Sequence, residues 1–414
     1  MKLAFWVRLF VVFVLIVSLT ACGQAITKTQ ANTDNTQTQS INDELQGILQ
    51  LYGLPSMAAV VISNGQIVAQ GAVGVRKSGA AIPVTINDQY QIGSCTKAMT
   101  ATIIAMLVQQ GKLSWTSTMG DIFPEMKGEM LPRYRDVNIL ELLSMNAGFP
   151  SNNTTDGYFP PSTSDKYWSS LTEPLMQQRY EYTKDYLCRP FSLAVEEALP
   201  EPGTTYLYSD VDYVIAGAIA ERITGKSWED LMTTMLFKPL GITDAGFSFS
   251  MATGYEVNEP WQHYYSTNGQ DIPVPPNYAP DILGLLAPVM YPAGGVHMTI
   301  LDWAKFINMQ LEGENGGSKL LAPETFKILH TQPYNDGYAL GWEVENDPVF
   351  GTLLTHNGSD GFDYADVWML PNSNFAVLVT TNAGGNPAFE AGSDAIDTLI
   401  GKFLSRPPAG KPTI

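Results

Sequence analysis

The 414-residue sequence predicts an α+β fold. One antiparallel sheet, built from both ends of the chain and flanked by helices, sits beside a mostly helical lobe, with the candidate active site in the cleft between them. Three observations carry this. Short apolar, β-branched runs cluster near the two ends of the chain, and helix-compatible stretches fill the middle. Three polar islands interrupt those stretches in order: Ser94-Cys95-Thr96-Lys97, Tyr208-Ser209-Asp210 and His356-Asn357-Gly358. The sheet lobe is expected over about 42–85 and 295–405, the helical lobe over about 86–294, and a short tail over 406–414.

The elements follow in order. Asp43 to Tyr52 reads as an amphipathic helix. Met57 to Ser63 and Gln66 to Val73 read as strands joined by Asn64-Gly65, the strongest short hairpin signal. Ser94 to Gln109 favours helix, and Ala98 to Val108 is apolar on nearly every face, so this helix is buried. Asn138 to Leu143 begins another helix before Asn146-Ala147-Gly148. Residues 150–186 read as irregular and aromatic, with Tyr158, Phe159, Tyr167, Trp168, Tyr180, Tyr182 and Tyr186. Asp212 to Thr224 is helical and stops at Gly225, and Ser227-Trp228-Glu229-Asp230 caps the next helix. Residues 251–292 form a second irregular segment, in which Trp261, His263, Tyr264 and Tyr265 cluster. The two aromatic segments either wall the cleft or cap the helical lobe. Thr352 to Thr355, Tyr364 to Leu370 and Phe375 to Thr381 are three successive strands.

Composition narrows the function. The formal net charge is -18, which repels phosphate backbones and argues against nucleic-acid binding. Lys2 and Arg8 flank the apolar stretch Leu9 to Leu19, too short for a comfortable membrane span and fitting an export signal. Leu19-Thr20-Ala21-Cys22 at its end resembles a bacterial lipoprotein signal. That resemblance implies cleavage of residues 1–21, lipid on Cys22 and anchoring to a membrane of the cell envelope on its extracytoplasmic side. Residues 22–41 would then be a polar tether. The other cysteines, Cys95 and Cys188, make no disulfide framework, and Cys95 reads as a small buried hydrophobe.

The polar islands carry the chemistry. Ser94 and Lys97 are three residues apart and share a helix face, so a neutral lysine can take the proton that makes a serine nucleophilic. Desolvation would lower the lysine's pKa. Ser94 at a helix N-terminus offers its backbone N–H as half of an oxyanion hole. Tyr208 offers a phenol to relay a proton. Gly358 lets a substrate approach the backbone at a strand end, where the Ser359 N–H is the candidate second oxyanion donor. There is no His-Glu-x-x-His, no Cys-x-x-Cys, no Gly-x-Ser-x-Gly and no phosphate-cradling glycine loop. A metal hydrolase and an α/β-hydrolase are thereby disfavoured, and no cofactor is expected.

Together, Gln91-Ile92-Gly93-Ser94-Cys95-Thr96-Lys97, Pro202-Gly203 before Tyr208-Ser209, Ala293-Gly294-Gly295 and His356-Asn357-Gly358 resemble the serine beta-lactamase and penicillin-binding-protein superfamily. The closer likeness is to the class C beta-lactamase-like branch, and it runs from about residue 42 to 405. The resemblance implies that Ser94 is acylated, that Lys97 and Tyr208 handle protons, and that Asp210, His356, Asn357, Gly358 and Ser359 line the substrate cleft. It implies a small-molecule or peptide substrate: an ester, a D-amino-acid amide, a cell-wall peptide or a beta-lactam.

Three departures stand out. Asp210 replaces the Asn often found after Tyr-Ser, and a carboxylate there favours the charged form of Lys97. His356 replaces a Lys and is a weaker anchor for a carboxylate. Met145-Asn146-Ala147-Gly148 stands where many relatives have His-Thr-Ser-Gly, and that site is expected to be structural. Asp210 also motivates an alternative: a weakly active envelope binding or scaffold protein with the same fold.

Overall fold

The apolar runs on either side of Asn64-Gly65 pair as strands β2 (Ser56–Ser63) and β3 (Gln66–Gly74). Asn64 has φ 50° and Gly65 φ 78°, the two successive positive values that a type I′ hairpin needs. The computed structural model describes residues 38–151, 174–248, 260–265, 271–274 and 288–404. The export segment with Cys22, the residues Tyr158, Phe159, Tyr167 and Trp168, and the 406–414 tail lie outside these.

The remaining strands of the main sheet are β1 (Gln39–Ser40), β9 (Glu343–Asp347), β10 (Gly351–Ser359), β11 (Tyr364–Leu370) and β12 (Phe375–Thr381). The seven lie in the order β1-β3-β2-β12-β11-β10-β9. β12 pairs antiparallel with β2, with Val60 opposite Leu378, so the two ends of the chain meet at the sheet's centre as expected. Only β1 is parallel to its neighbour, with Gln39 opposite Ala69. The sheet therefore includes the last residues of the stretch read as a tether. Two smaller sheets join β4 (Gln89–Gln91) and β5 (Ala245–Phe247) through β8 (Val296–Thr299), and β6 (His263–Tyr265) with β7 (Asp271–Pro273).

Period-two alternation sends β-strand side chains to opposite faces, and here both faces are covered. The longer helices are α1 (Asn42–Tyr52), α2 (Thr96–Gln109), α3 (Leu175–Cys188), α4 (Asp210–Thr224), α5 (Ile300–Gly313) and α6 (Asn386–Phe403). Ala59, Val61, Val377 and Val379 pack with Leu45 of α1 and Ile396 of α6. Ala58, Val60, Leu354 and Val367 belong to the larger core, with Met99 and Ile103 of α2 and Trp303 of α5. α2 is buried from Thr96 through Leu107, matching its apolar circumference. Each large apolar side chain buried there contributes roughly 1.5–3 kcal/mol.

The structure corrects three expectations. The 150–186 segment is not irregular throughout, because Leu175–Cys188 forms α3, packed on α4. Its apolar period is masked by buried polar groups: Arg179 is fully buried and ion-paired with Glu221 of α4 and with Glu229. The 251–292 segment contains the β6–β7 hairpin and a short helical turn at Tyr291–Gly294. Finally, the strand read as Thr352 to Thr355 is longer: β10 runs on through His356-Asn357-Gly358 to Ser359, so the motif forms the end of the strand itself.

Candidate active site

Ser94 lies in a single 3-10 turn, Gly93–Cys95, that leads from β4 directly into α2. Gly93 has φ 49°, and a Cβ there would fall 2.5 Å from the Ser359 nitrogen. Gly358 is equally constrained: a Cβ would fall 2.6 Å from the Ser94 nitrogen. Glycine at both positions lets β10 lie flush against the nucleophile turn. The Ser359 nitrogen thus lies against Gly93 and the Ser94 nitrogen against Gly358, the side-by-side backbones from which an oxyanion hole can be built. β9 pairs with β10 only through Thr355, so on that side the edge from His356 to Ser359 has no strand partner among the described residues. That edge is open beside Ser94.

Lys97, one turn into α2, is completely buried. Its Nζ donates to Ser94 Oγ at 2.9 Å, to Asp210 Oδ1 at 2.6 Å and to the Ala293 carbonyl at 2.8 Å. Three acceptors use all three N–H bonds of an ammonium, so the resting geometry is that of the charged lysine. Burial nevertheless pushes the Lys97 pKa below that of a free amine, against the opposing pull of Asp210. Asp210, the first residue of α4, therefore meets Lys97 as its carboxylate predicted. Asp212, two residues further along α4, is buried and held well above the usual carboxylate range by that burial.

Tyr208 donates its phenol to Ser94 Oγ at 2.7 Å, so Ser94 receives Lys97 and Tyr208 together. Burial, with Asp210 adding to it, raises the Tyr208 pKa well above its ordinary value. The phenol is thus protonated at rest and suited to pass a proton rather than to abstract one unaided. The loop carrying it is pinned from below. Leu207 N–H donates to the Met145 carbonyl, Gly203 N–H to the Asn146 carbonyl, and Ser209 Oγ to the Pro150 carbonyl at 2.6 Å. Asn146 Nδ2 in turn reaches Asp336 Oδ2 at 2.9 Å. Met145-Asn146-Ala147-Gly148 is accordingly a platform for the Tyr208 loop.

His356 is buried, with its ring 6.4 Å from that of Tyr208. Its Nδ1 lies 2.6 Å from the Asn357 carbonyl, which can only accept, so Nδ1 carries the proton. Nε2 then accepts from the Tyr338 phenol at 3.0 Å. Burial, followed by the nearby Lys97 charge, pushes the His356 pKa down to about 3. The imidazole is neutral at working pH. Asn357 lies opposite Asp366 in the sheet, and Ser359 Oγ donates to the Asp363 carbonyl at 2.5 Å while accepting from Gly361 N–H at 2.9 Å. Cys95 is buried as expected, its thiol directed 3.2 Å from the His356 carbonyl.

The aromatic cluster at 261–265 does not join this constellation through its described partners. Trp261 N–H donates to the Arg76 carbonyl, and His263 is held by Ser78 N–H and the Asn382 carbonyl. Sequence reasoning missed Tyr338 and the role of the Ala293 carbonyl. Tyr338 belongs to no motif, though Gly341 nearby is a signal: a Cβ there would fall 2.7 Å from Ala98 Cα, so this segment packs directly on α2. Among the described residues, no three His, Cys, Asp or Glu side chains gather to hold a metal.

Comparison with known proteins agrees with this fold. The beta-lactamase family model matches residues 41–400. Penicillin-binding protein 4 of Amycolatopsis lactamdurans is 24% identical over 85% of this chain and 86% of its own length. Protein flp of Staphylococcus aureus is 22% identical over 84% of this chain, which spans 64% of that protein. Unguisins hydrolase ungD' of Aspergillus campestris is 25% identical over 92% of this chain and 68% of its own. Among solved structures, an octameric penicillin-binding protein homologue from Pyrococcus abyssi superposes with a TM-score of 0.67 at 22% identity, covering 87% of this chain and 77% of that one. D-amino acid amidase from Ochrobactrum anthropi gives 0.65 at 19% identity, covering 88% and 99%. With the family match spanning nearly the whole folded domain, the chain belongs to the beta-lactamase family, among serine hydrolases related to penicillin-binding proteins.

Proposed function

We propose that this protein hydrolyses an ester, D-amino-acid amide, cell-wall peptide or beta-lactam through an acyl-enzyme on Ser94. The observation that carries the reading is the convergence of Lys97 Nζ and Tyr208 OH on Ser94 Oγ, at 2.9 Å and 2.7 Å. From the form in which Lys97 has lost its proton, which burial of its amine favours, Ser94 Oγ attacks the substrate carbonyl while its proton passes to the free Lys97 amine, directly or through the Tyr208 phenol. The Ser94 and Ser359 N–H groups hold the oxyanion. Tyr208 returns a proton to the leaving group, and water then frees the acyl group from Ser94. Asp210, His356 and Asn357 border the substrate.

The Lys97–Asp210 ion pair favours a second reading, a weakly active envelope binding protein, because it holds the base in its charged form. One experiment separates the two. The full chain is incubated with a fluorescent penicillin and with p-nitrophenyl acetate, recording intact mass and turnover. A penicillin adduct or ester turnover that disappears in Ser94→Ala supports the hydrolase. Ligand binding that survives Ser94→Ala, without turnover, supports the binding protein.

We further infer that Cys22 carries lipid and that the domain is displayed on the outer side of a bacterial membrane. The support is the Lys2/Arg8 flank, the apolar run and Leu19-Thr20-Ala21-Cys22. Incorporation of a clickable fatty acid that is lost in Cys22→Ala is the expected result. Unchanged incorporation overturns the reading.

A further inference from the structure

The open edge of β10 ends at one charged side chain. β9 leaves β10 at Glu343, which lies opposite Thr355, the residue before His356. A substrate lying along His356–Ser359 occupies the line that β9 would have continued, so its end over His356 meets Glu343. Glu343 is half-buried, which with nearby Glu345 holds its carboxyl above the usual range, and no cation pairs with it among the described residues, so once ionised it is uncompensated. Its charge reaches the site: it helps to hold the phenols of Tyr208 and Tyr338 up. It also pairs through its backbone with Tyr338, the residue that caps His356.

Among the described residues no free positive charge offsets it there. Lys97 is fully buried and committed to Asp210, and His356 is neutral. Tyr208 hands its proton to the leaving group, and its ring lies 6.4 Å from that of His356, the neighbour of Thr355, across from which Glu343 lies in the sheet.

We propose that Glu343 sets the charge selectivity of the cleft, turning away acyl donors whose leaving group bears a carboxylate and admitting those whose leaving group is neutral or cationic. The physical basis is the field of an uncompensated carboxylate in a partly desolvated cleft, where like charge is repelled and opposite charge concentrated. The inference rests on Ser94 as the nucleophile.

Three thioesters of N-acetyl-D-alanine test it, differing only in the thiol released: thioglycolate, thioglycolamide and thiocholine. Thiol release gives kcat/KM for the wild type, Glu343→Gln and Ser94→Ala. The thiocholine ester is expected to exceed the thioglycolate ester by about tenfold or more. Glu343→Gln should narrow that ratio several-fold, chiefly through KM, and raising the salt concentration should narrow it in the wild type. Ser94-dependent turnover that is blind to charge, or a ratio indifferent to both Glu343→Gln and salt, overturns the selectivity while leaving the nucleophile in place. Thiol release that survives Ser94→Ala overturns the nucleophile itself.

Discussion

Gly358 and the backbone nitrogen of Ser94 are so close that a methyl group on Gly358 would lie 2.6 Å from that nitrogen. Gly358→Ala must therefore push β10 away from the nucleophile turn. Overpacking of this kind costs about 1–3 kcal/mol. Catalysis suffers more than stability, because the Ser359 N–H retreats from the oxyanion. A single lost donor costs on the order of 100-fold in kcat. Steady-state kinetics and thermal melts on Gly358→Ala check both parts, and near-normal kcat would contradict the packing argument.

Asp210→Asn tests the ion pair. Asp210 is the main group raising the Lys97 pKa against burial, so its loss lets burial lower that pKa further. The free amine then exists at lower pH, and the acidic limb of the kcat/KM profile moves to lower pH. Stability drops by roughly 1–3 kcal/mol because a buried charged donor loses its best acceptor. A pH–rate profile for wild type and variant shows the sign directly.

His356 has a pKa near 3, so no limb of the pH–rate profile between about pH 5 and 8 belongs to it. Tyr338→Phe removes the donor to Nε2 and leaves a buried acceptor unpaired, at a cost of about 1–3 kcal/mol. The expected signature is a lower melting temperature with the pH profile unmoved. A profile displaced by Tyr338→Phe would mean that His356 titrates in the working range.

The turn after Ser359 contains a pair of acids that share one amide. Gln262 Nε2 donates to Asp360 at 2.5 Å and to Asp363 at 2.6 Å, with Asp363 buried and Asp360 partly buried. Burial raises Asp360 to about 6 and Asp363 well above its usual range. Folded pKa values above the unfolded value of ~3.9 mean that the native state binds more protons, so this pair loses stability as pH rises from about 4 through 6. Asp363→Asn removes the second charge. Melting temperature should rise by a few degrees at pH 8 and change little at pH 4. Equal shifts at both values would exclude a titrating pair.

Much of the fold was legible where local chemistry and tertiary burial agree. Asn64-Gly65 dictated its hairpin, Gly225 ended α4 in the left-handed conformation, and Ser227 capped the following helix through Asp230 N–H. The site was legible because Ser94, Lys97, Tyr208 and His356 sit in short motifs whose spacing is itself chemistry. α3 was not, because Arg179, Thr183 and Asp185 are buried polar residues that erase the apolar stripe. Tyr338 and Glu343 were invisible for another reason: their positions follow from where β9 leaves β10, a fact of register that no local pattern encodes.

The pairing of β2 with β12 also governs how the molecule is made. β2 ends at Ser63, but its partner strand runs to Thr381, more than 300 residues later in synthesis, and α6 follows. A growing chain therefore emerges with a hairpin whose inner edge is unsatisfied and an apolar α2 with nothing to cover it. Contacts of such sequence separation are slow to form, and incomplete forms are prone to aggregate. Assembly of the oxyanion hole waits on the same event, since Ser359 meets Ser94 only when the late strands dock. The candidate site is therefore complete only after β10 to β12 have docked on segments made about 250 residues earlier.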